Sequence, residues 1–224
     1  MTAAPRQPAK RGSMTRRVLR SAGVLAAVAF VALLAYGLTT KAPDSTIDDA
    51  LSRGEAVAAP GFTLDALASG RATGRPGALW RAAAADGEVA LEELRGAPLV
   101  INFWASWCDP CRAEAELLEA QWRDTRSRDA LFVGLDTQDA REDARAFIAD
   151  FGLTFPHVRD PGNETQRAWG VTGLPETYFL SRDGRVVGHV IGTVDAAQLR
   201  EGIAAARSGR PRDADRGGEQ RPAR

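Results

Sequence analysis

The segment from Pro98 to Trp122 constrains the fold more than any other part of the chain. It opens with the apolar run "PLVINFW", residues 98–104, which is typical of a central strand that is covered on both faces. The only two cysteines, Cys108 and Cys111, follow soon after this run. From Cys111 onward the apolar residues recur every three or four positions, which is helical spacing. The sequence therefore predicts a buried strand, a short loop and a helix that begins near the cysteines.

The rest of the folded region alternates between strand and helix patterns. Its Asp-Gly step, in "SRDGR", predicts a hairpin turn. The predicted strands are residues 130–136, 176–180 and 186–192, and the predicted helices are residues 139–151, 163–170 and 195–206, the last capped by Asp195. This order predicts a three-layer α/β domain with a mixed central sheet. Residues 66–90 are rich in Ala, Gly and Arg, and we predict an irregular insertion there.

The N-terminal region has a pronounced charge asymmetry. Six basic residues and no acid precede residue 21, and residues 21–40 carry no charge. Twenty helical residues span roughly 30 Å, the thickness of the bilayer hydrocarbon, and a basic flank stays in the cytoplasm. A cleaved signal peptide and a buried helix of a soluble domain are the alternatives. The predicted organisation is a basic cytoplasmic N-terminus (1–20), a transmembrane signal-anchor (21–40), a stalk (41–59), an extracytoplasmic domain (60–206) and a disordered tail (207–224).

The overall charge excludes one class of partner. Basic and acidic residues balance at 29 each, so the protein has no global field that attracts nucleic acid. At 44% hydrophobic residues, the chain has enough apolar side chains to bury a core. We therefore predict a folded domain with a membrane as partner and without nucleic acid.

The spacing of Cys108 and Cys111 admits three interpretations. A structural zinc site needs four ligands, and the two histidines, His157 and His189, do not form a second cluster. A structural disulfide this short constrains little of the unfolded chain. Reversible redox chemistry fits better, because residues three apart share a helix face and a helix N-terminus favours the thiolate. We predict a redox-active disulfide in which Cys108 is the solvent-facing nucleophile and Cys111 the resolving thiol, with no metal and no cofactor.

Three residues near the cysteines are candidates for supporting roles. Glu114 lies three residues beyond Cys111 on the same helix face, and we predict that it carries the proton that resolution requires. The alternative is an ordinary surface glutamate. Trp107 and Pro110 are predicted to contact the substrate, although an aromatic residue at such a position is often part of the core or its rim. Proline is tolerated where Pro110 stands, near a helix start.

Two motifs carry a family resemblance. The stretches "NFWASWCDPCRAE" (102–114) and "GVTGLPETYFLSRDGRV" (170–186) resemble the TlpA/ResA-like membrane-anchored thiol:disulfide oxidoreductases, including their CcmG/DsbE-like cytochrome c maturation members. The resemblance covers roughly residues 60–206, implies a thioredoxin-like fold, and makes residues 138–160 the family's insertion.

The same resemblance assigns roles to residues distant from the cysteines. It implies a cis peptide bond between Leu174 and Pro175, with the proline facing the cysteine pair. The backbone of Gly173, Leu174 and Pro175 would then bind an extended substrate. The resemblance also places Glu114 at an acidic position of the ResA-like members. Ordinary thioredoxins carry a buried Asp six residues before the first cysteine, where this chain has Asn102, which cannot relay a proton.

The resemblance implies a function as well. The protein would reduce disulfides in exported proteins such as apocytochrome c, and a membrane protein of a thiol-disulfide relay would recharge it. A general extracytoplasmic oxidase is one alternative, and a thiol peroxidase with a single activated cysteine is another. A third is a non-catalytic thiol metal-binding module, for which His157 is the candidate extra ligand, although "FPHV" predicts a buried strand there.

Overall fold

The computed structural model describes residues 22–34, 36, 45–125 and 130–222. The chain divides into two compact units, Met1–Ala42 and Pro43–Arg224. In the first unit, residues 22–34 and 36 are helical and form helix α1. Of the helices described, none combines the length and the apolarity needed to span a bilayer. The predicted basic N-terminus, the remainder of segment 21–40 and stalk residues 41–44 lie outside the described residues.

The second unit is built around a mixed sheet. A separate two-stranded sheet accompanies it. The strands of the two sheets are β1 (Val57–Ala58), β2 (Thr63–Ala68), β3 (Glu88–Ala90), β4 (Leu99–Trp104), β5 (Leu131–Thr137), β6 (His157–Asp160), β7 (Gly173–Leu174), β8 (Glu176–Leu180), β9 (Arg185–Ile191), β10 (Asp215–Arg216) and β11 (Arg221–Pro222). The nine-stranded sheet has the order β1-β9-β8-β4-β5-β6-β2-β3, with β10 on β9, while β11 pairs with β7. Strand β4 is parallel to β5 and antiparallel to β8. The predicted α/β class with a mixed sheet is thereby confirmed.

The helices predicted from Asp109 onward are present. The predicted stalk, residues 41–59, differs from the structure, because residues 46–52 form a helix that buries Ile47 and Leu51. The helices of this unit are α2 (Thr46–Ser52), α3 (Gly74–Ala83), α4 (Asp109–Thr125), α5 (Arg141–Asp150), α6 (Glu164–Ala168) and α7 (Ala196–Ser208), with a short 3₁₀ helix at Leu91–Leu94. Helix α7 packs on β4, β8 and β9, and α5 contacts β2. The predicted cap of α7 is confirmed, because the Asp195 carboxylate accepts hydrogen bonds from the backbone of Ala197 and Gln198 at 2.7 and 2.8 Å.

The prediction of an irregular insertion at residues 66–90 is wrong. These residues complete β2 and form α3 and β3, and β3 pairs antiparallel with β2. The indole of Trp80 is buried, as is Ala83 one turn later. An alanine-rich helix carries little hydrophobic contrast between its faces, so the periodicity that indicates a helix is weak here. Trp80 is the largest of the buried side chains by which α3 packs on the domain.

The prediction of a disordered tail from residue 207 also differs from the structure. Helix α7 continues to Ser208 and ends at Gly209, whose φ of 68° is the left-handed conformation common at helix ends. Beyond it, β10 pairs with β9 and β11 pairs with β7. We call residues 209–222 the tail. Composition did not reveal this path, because backbone hydrogen bonds hold it to the domain instead of large apolar side chains.

Helix α7 lies so close to the sheet that a side chain at Gly202 would not fit. A Cβ added there would overlap the ring of Phe179 in β8. Alanine is favoured over glycine in a helix by about 1 kcal/mol, whereas overpacking a core costs about 1 to 3 kcal/mol. We expect Gly202→Ala to lower the free energy of unfolding, measured by urea denaturation.

Gly61→Ala is the matched control for this substitution. A Cβ at Gly61 meets no atom within 4 Å, so we expect its unfolding midpoint to stay close to that of the original chain. If Gly202→Ala were as stable as the original chain or more so, the contact with the Phe179 ring would be too loose to oppose the gain in helix propensity.

Candidate active site

The two cysteines lie where β4 leads into α4. Helix α4 begins at Asp109, so Cys108 occupies the capping position just before it. The backbone N–H of Cys111 donates to Cys108 Sγ at 3.2 Å, and the N–H of Arg112 donates to the Cys108 carbonyl at 3.2 Å. Free N–H groups at a helix start favour negative charge on the atom that they face. The predicted position of Cys108 at the helix start is confirmed.

Cys108 and Cys111 form a disulfide, with their Cα atoms 5.2 Å apart. Both sulfurs belong to the first turn of α4 and its cap, as the spacing predicts.

The predicted exposure of Cys108 is wrong for this oxidised structure. Cys108 has 0% of its surface exposed and Cys111 has 2%, while Pro110 is buried and Trp107 is half-buried. A position at a helix start fixes the direction of the N–H groups but not the packing around the sulfur, which depends on residues distant in sequence. In this disulfide-bonded state, Cys108 thus offers no exposed surface to another sulfur.

The loop after β5 holds the cysteine loop, residues 105–108. Asp139 accepts two hydrogen bonds from Ser106, at 2.6 Å from the backbone nitrogen and 2.9 Å from the hydroxyl. The indole nitrogen of Trp107 donates to the Gln138 carbonyl at 2.9 Å. Sequence analysis missed Asp139 and Gln138. They could have been found from the expectation that β4 and β5 are neighbouring parallel strands, because the carboxyl ends of such strands meet at one edge of the sheet.

Glu114 is buried, with 3% of its surface exposed, so it is not an ordinary surface glutamate. Its Oε1 accepts from the Asn102 side-chain amide at 2.8 Å, and its Oε2 accepts from the Val194 backbone at 2.9 Å. Burial raises the pKa of Glu114 to about 8, although both hydrogen bonds oppose that rise. Asn102 also donates to Thr177 Oγ1 at 3.1 Å. Asn102, which cannot carry a proton itself, thus orients the carboxyl that can.

The Leu174–Pro175 peptide bond is cis, as the resemblance implies. Glu176, the next residue, is the register partner of Phe103 in β4. Pro175 therefore lies at the end of the sheet from which the cysteine loop departs. Gly173 and Leu174 form β7 immediately before the proline.

Glu176 supports the backbone around this proline. It is 1% exposed, and its Oε1 accepts from the backbone nitrogens of Thr172 and Gly173 at 2.9 and 3.3 Å. Its Oε2 lies 2.9 Å from His189 Nε2, and Asp48 lies 2.7 Å from His189 Nδ1. Burial alone lowers the pKa of His189, but the two carboxylates raise it overall. Sequence analysis missed this cluster, whose one signal is an acidic residue inside an apolar strand.

His157, the candidate extra metal ligand, is a core residue. It begins β6 and is fully buried, as "FPHV" predicts. Its ring lies 4.5 Å from the Phe155 ring and 5.4 Å from the Trp104 ring, between centroids. Burial lowers the pKa of His157 to about 3, so the imidazole is neutral.

Comparison with known proteins relates the domain to thiol chemistry. The profile of the AhpC/TSA family matches residues 57–189. The thiol-disulfide oxidoreductase ResA of Bacillus subtilis is 27% identical over 113 residues, which cover 50% of this chain and 63% of ResA. The thiol:disulfide interchange protein HelX of Rhodobacter capsulatus is 35% identical over 94 residues, which cover 42% of this chain and 51% of HelX. The chain thus spans less than two thirds of either relative.

A solved structure shares the architecture. The crystal structure of a thiol:disulfide interchange protein of the thioredoxin family from Chlorobium tepidum superposes with a TM-score of 0.54 at 23% identity. The match covers 68% of this chain and 97% of that protein. The α/β domain described here therefore has a thioredoxin-like fold.

Proposed function

Since the chain belongs to the AhpC/TSA family, we propose that it catalyses thiol–disulfide exchange outside the cytoplasm and reduces disulfides in exported proteins. The observation that carries the proposal is the cap of α4, where a backbone N–H points at Cys108 Sγ. That geometry stabilises a thiolate on Cys108, and the thiolate is the form that attacks disulfides.

The exchange proceeds in two displacements. In the reduced protein, the Cys108 thiolate attacks one sulfur of the target disulfide, the target S–S bond breaks, and the other target sulfur leaves as a thiolate. Cys111 then attacks Cys108 Sγ, which breaks the mixed disulfide and releases the second target sulfur. The target gains two electrons and the pair becomes the disulfide seen here. A dithiol of a membrane relay protein returns two electrons and becomes oxidised in turn.

Glu114 takes the proton that Cys111 must lose before its attack. It stands one helical turn after Cys111 on the same face of α4. With a pKa raised to about 8, the carboxyl exchanges protons near neutral pH, the range in which a general base is effective. The target is contacted by Trp107, Pro110 and the backbone of Gly173, Leu174 and Pro175.

The membrane location and the target that we propose are supported by the N-terminal segment and by the relatives. Residues 21–40 serve as the membrane anchor, and α1 exposes large apolar side chains such as Val24 and Leu33, at 63% and 72%. ResA and HelX are named for disulfide exchange, and the resemblance to cytochrome c maturation proteins makes apocytochrome c the target. Its haem-attachment sequence, Cys-x-x-Cys-His, supplies the disulfide.

Reduction of a disulfide-bridged Cys-x-x-Cys-His peptide tests this function. We expect the reduced full-length chain to convert the bridged peptide to its dithiol and to become oxidised itself, as measured by thiol titration of the peptide and the protein after the two are separated. The reduction potential of the pair decides the direction, with a value near or below roughly −250 mV for a reductase and near roughly −120 mV for an oxidase. A potential near the second value, or no release of thiols, would overturn the proposal.

A further inference from the structure

The tail runs from the end of α7 back to the candidate active site. The Arg212 backbone nitrogen donates to the Val187 carbonyl at 2.9 Å, and β10 then pairs in parallel with the end of β9. Backbone bonds continue beyond β10, from Gly217 to Ile191 at 2.8 Å and from Gly218 to the Thr193 carbonyl at 2.9 Å. The tail is thus held along the sheet edge for most of its length.

Glycines allow the tail backbone to lie close to the loop after β9. Gly192 has a φ of 90°, and a Cβ there would lie 2.6 Å from the Gly218 carbonyl oxygen. A Cβ on Gly217 would overlap the carbonyl oxygen of Thr193. Larger residues at these positions would therefore displace the tail, which explains the adjacent glycines in "DRGGEQRP".

The end of the tail occupies the strand edge beside the cis-proline. Strand β11 pairs antiparallel with β7, with Arg221 opposite Leu174 and Pro222 opposite Gly173. A strand edge presents one row of N–H and C=O groups, so it pairs with only one chain at a time. This edge is the backbone to which the proposed function assigns the target peptide.

A side chain from the tail also reaches the carboxylate that supports this edge. The Gln220 amide donates to Glu176 Oε1 at 2.8 Å. The Glu219 carbonyl oxygen accepts from the Thr193 nitrogen at 3.0 Å. Glu176 in turn accepts from the backbone of Thr172 and Gly173. The docked tail thus provides hydrogen-bond partners both for the edge of β7 and for the Glu176 carboxylate.

We propose that residues 219–222 are a built-in competitor that occupies the target-binding edge of β7 and must leave before a target peptide docks. The inference rests on the proposed function. It assigns to the target an extended segment that runs antiparallel to β7 and places a hydrogen-bond donor where Gln220 contacts Glu176. Strand addition of this kind takes its affinity from backbone bonds and its specificity from side-chain positions. Cys108 is buried in the same structure in which the tail is docked.

Shortening the chain tests the competition. A chain that begins at residue 1 and is truncated after Gly218 loses β11 and Gln220, whereas a chain truncated after Pro222 keeps both. We expect the first to reduce the bridged Cys-x-x-Cys-His peptide about tenfold faster than the second. Tenfold corresponds to about 1.4 kcal/mol, the size of one or two net hydrogen bonds. Gln220→Ala in the full chain should give about a threefold gain, and equal rates for the two truncations would overturn the proposal.

A binding measurement separates this inference from the proposed function. A fluorescent peptide with the sequence of residues 219–224 should bind the chain truncated after Gly218 and not the chain truncated after Pro222. A scrambled peptide of the same composition is the control. The peptide should also slow target reduction by the shorter chain back to the rate of the longer one. Binding without any exchange activity would support the docking site and reject the redox function, whereas no difference in binding between the two chains would reject the docking site.

Discussion

Cys108→Ser is expected to lower the rate of disulfide exchange at least about a thousandfold, the scale on which loss of a covalent nucleophile is felt. A serine hydroxyl at the cap of α4 does not ionise near neutral pH, so the N–H group of Cys111 that faces Cys108 Sγ has no thiolate to stabilise. The rate is measured by chromatographic separation of the bridged and reduced forms of the target peptide over time. Unfolding measured by urea denaturation verifies that the variant is folded.

Cys111→Ser is expected to have a different outcome. Cys108 still attacks the target, but no second thiol resolves the mixed disulfide, so a covalent complex accumulates. Mass spectrometry under non-reducing conditions detects this complex, and the double variant Cys108→Ser/Cys111→Ser is its blank. If Cys108→Ser trapped the target and Cys111→Ser did not, the two cysteines would have the opposite roles.

The sequence predicts the central part of the fold because that part is defined by local patterns. Strands β4, β5 and β8 are buried along their whole length, and continuous apolar runs indicate such strands directly. Helix α4 and its capping cysteine follow from spacing alone. The cis bond before Pro175 could not be found in this way, since proline is mostly trans, and only the resemblance implied it.

The missed parts of the site depend on residues that are distant in sequence. Asp139 meets Ser106 across two parallel strands, and Glu114 meets Val194 across the domain. No local pattern encodes such contacts, because the tertiary fold alone determines which polar groups are buried together. The helix spacing therefore indicates Glu114 as a candidate, whereas the burial that changes its pKa is visible only in the folded structure.

The tail is ordered although its composition predicts disorder. Low apolar content predicts disorder because burial cannot offset the entropy of ordering. In residues 209–222 the backbone supplies the contacts, through β10, β11 and the bonds of the glycines at 217 and 218. Two adjacent glycines in an otherwise charged segment were the available signal. These glycines are needed because their backbone lies against Thr193, and no local pattern connects Thr193 to them.

Glu114→Gln is expected to slow the resolution step about a hundredfold, the lower range for loss of a general base. In the original chain, Glu114 accepts the Cys111 proton only when ionised, so the rate of resolution should rise with pH up to about 8, where the pKa of this carboxyl lies. Glutamine does not titrate, so the variant should be slower and should show no levelling-off near pH 8, its rate rising instead for as long as the Cys111 thiol itself continues to ionise. The rate is measured by stopped flow on a preformed mixed disulfide of the protein and the target peptide.

Glu116→Gln is the matched control, because Glu116 is exposed on the same helix. Its rate and pH profile should equal those of the original chain. If Glu114→Gln kept both the original rate and the levelling-off near pH 8, Glu114 would not be the proton carrier.

The pH dependence of stability tests the raised pKa of Glu114 without any reaction. The folded-state pKa is about 8 against an ordinary value of 4.5, so between these values the folded protein binds more protons than the unfolded one. His157, whose pKa burial lowers to about 3, has the opposite effect at acid pH, but the contribution of Glu114 to the free energy of unfolding should be largest below about pH 4.5 and fall as pH rises toward 8. Asp136, whose pKa burial also raises to about 8, contributes in the same direction. Glu114→Gln should remove its own share of the slope and leave that of Asp136, whereas an unchanged slope would mean that Glu114 ionises normally in the fold.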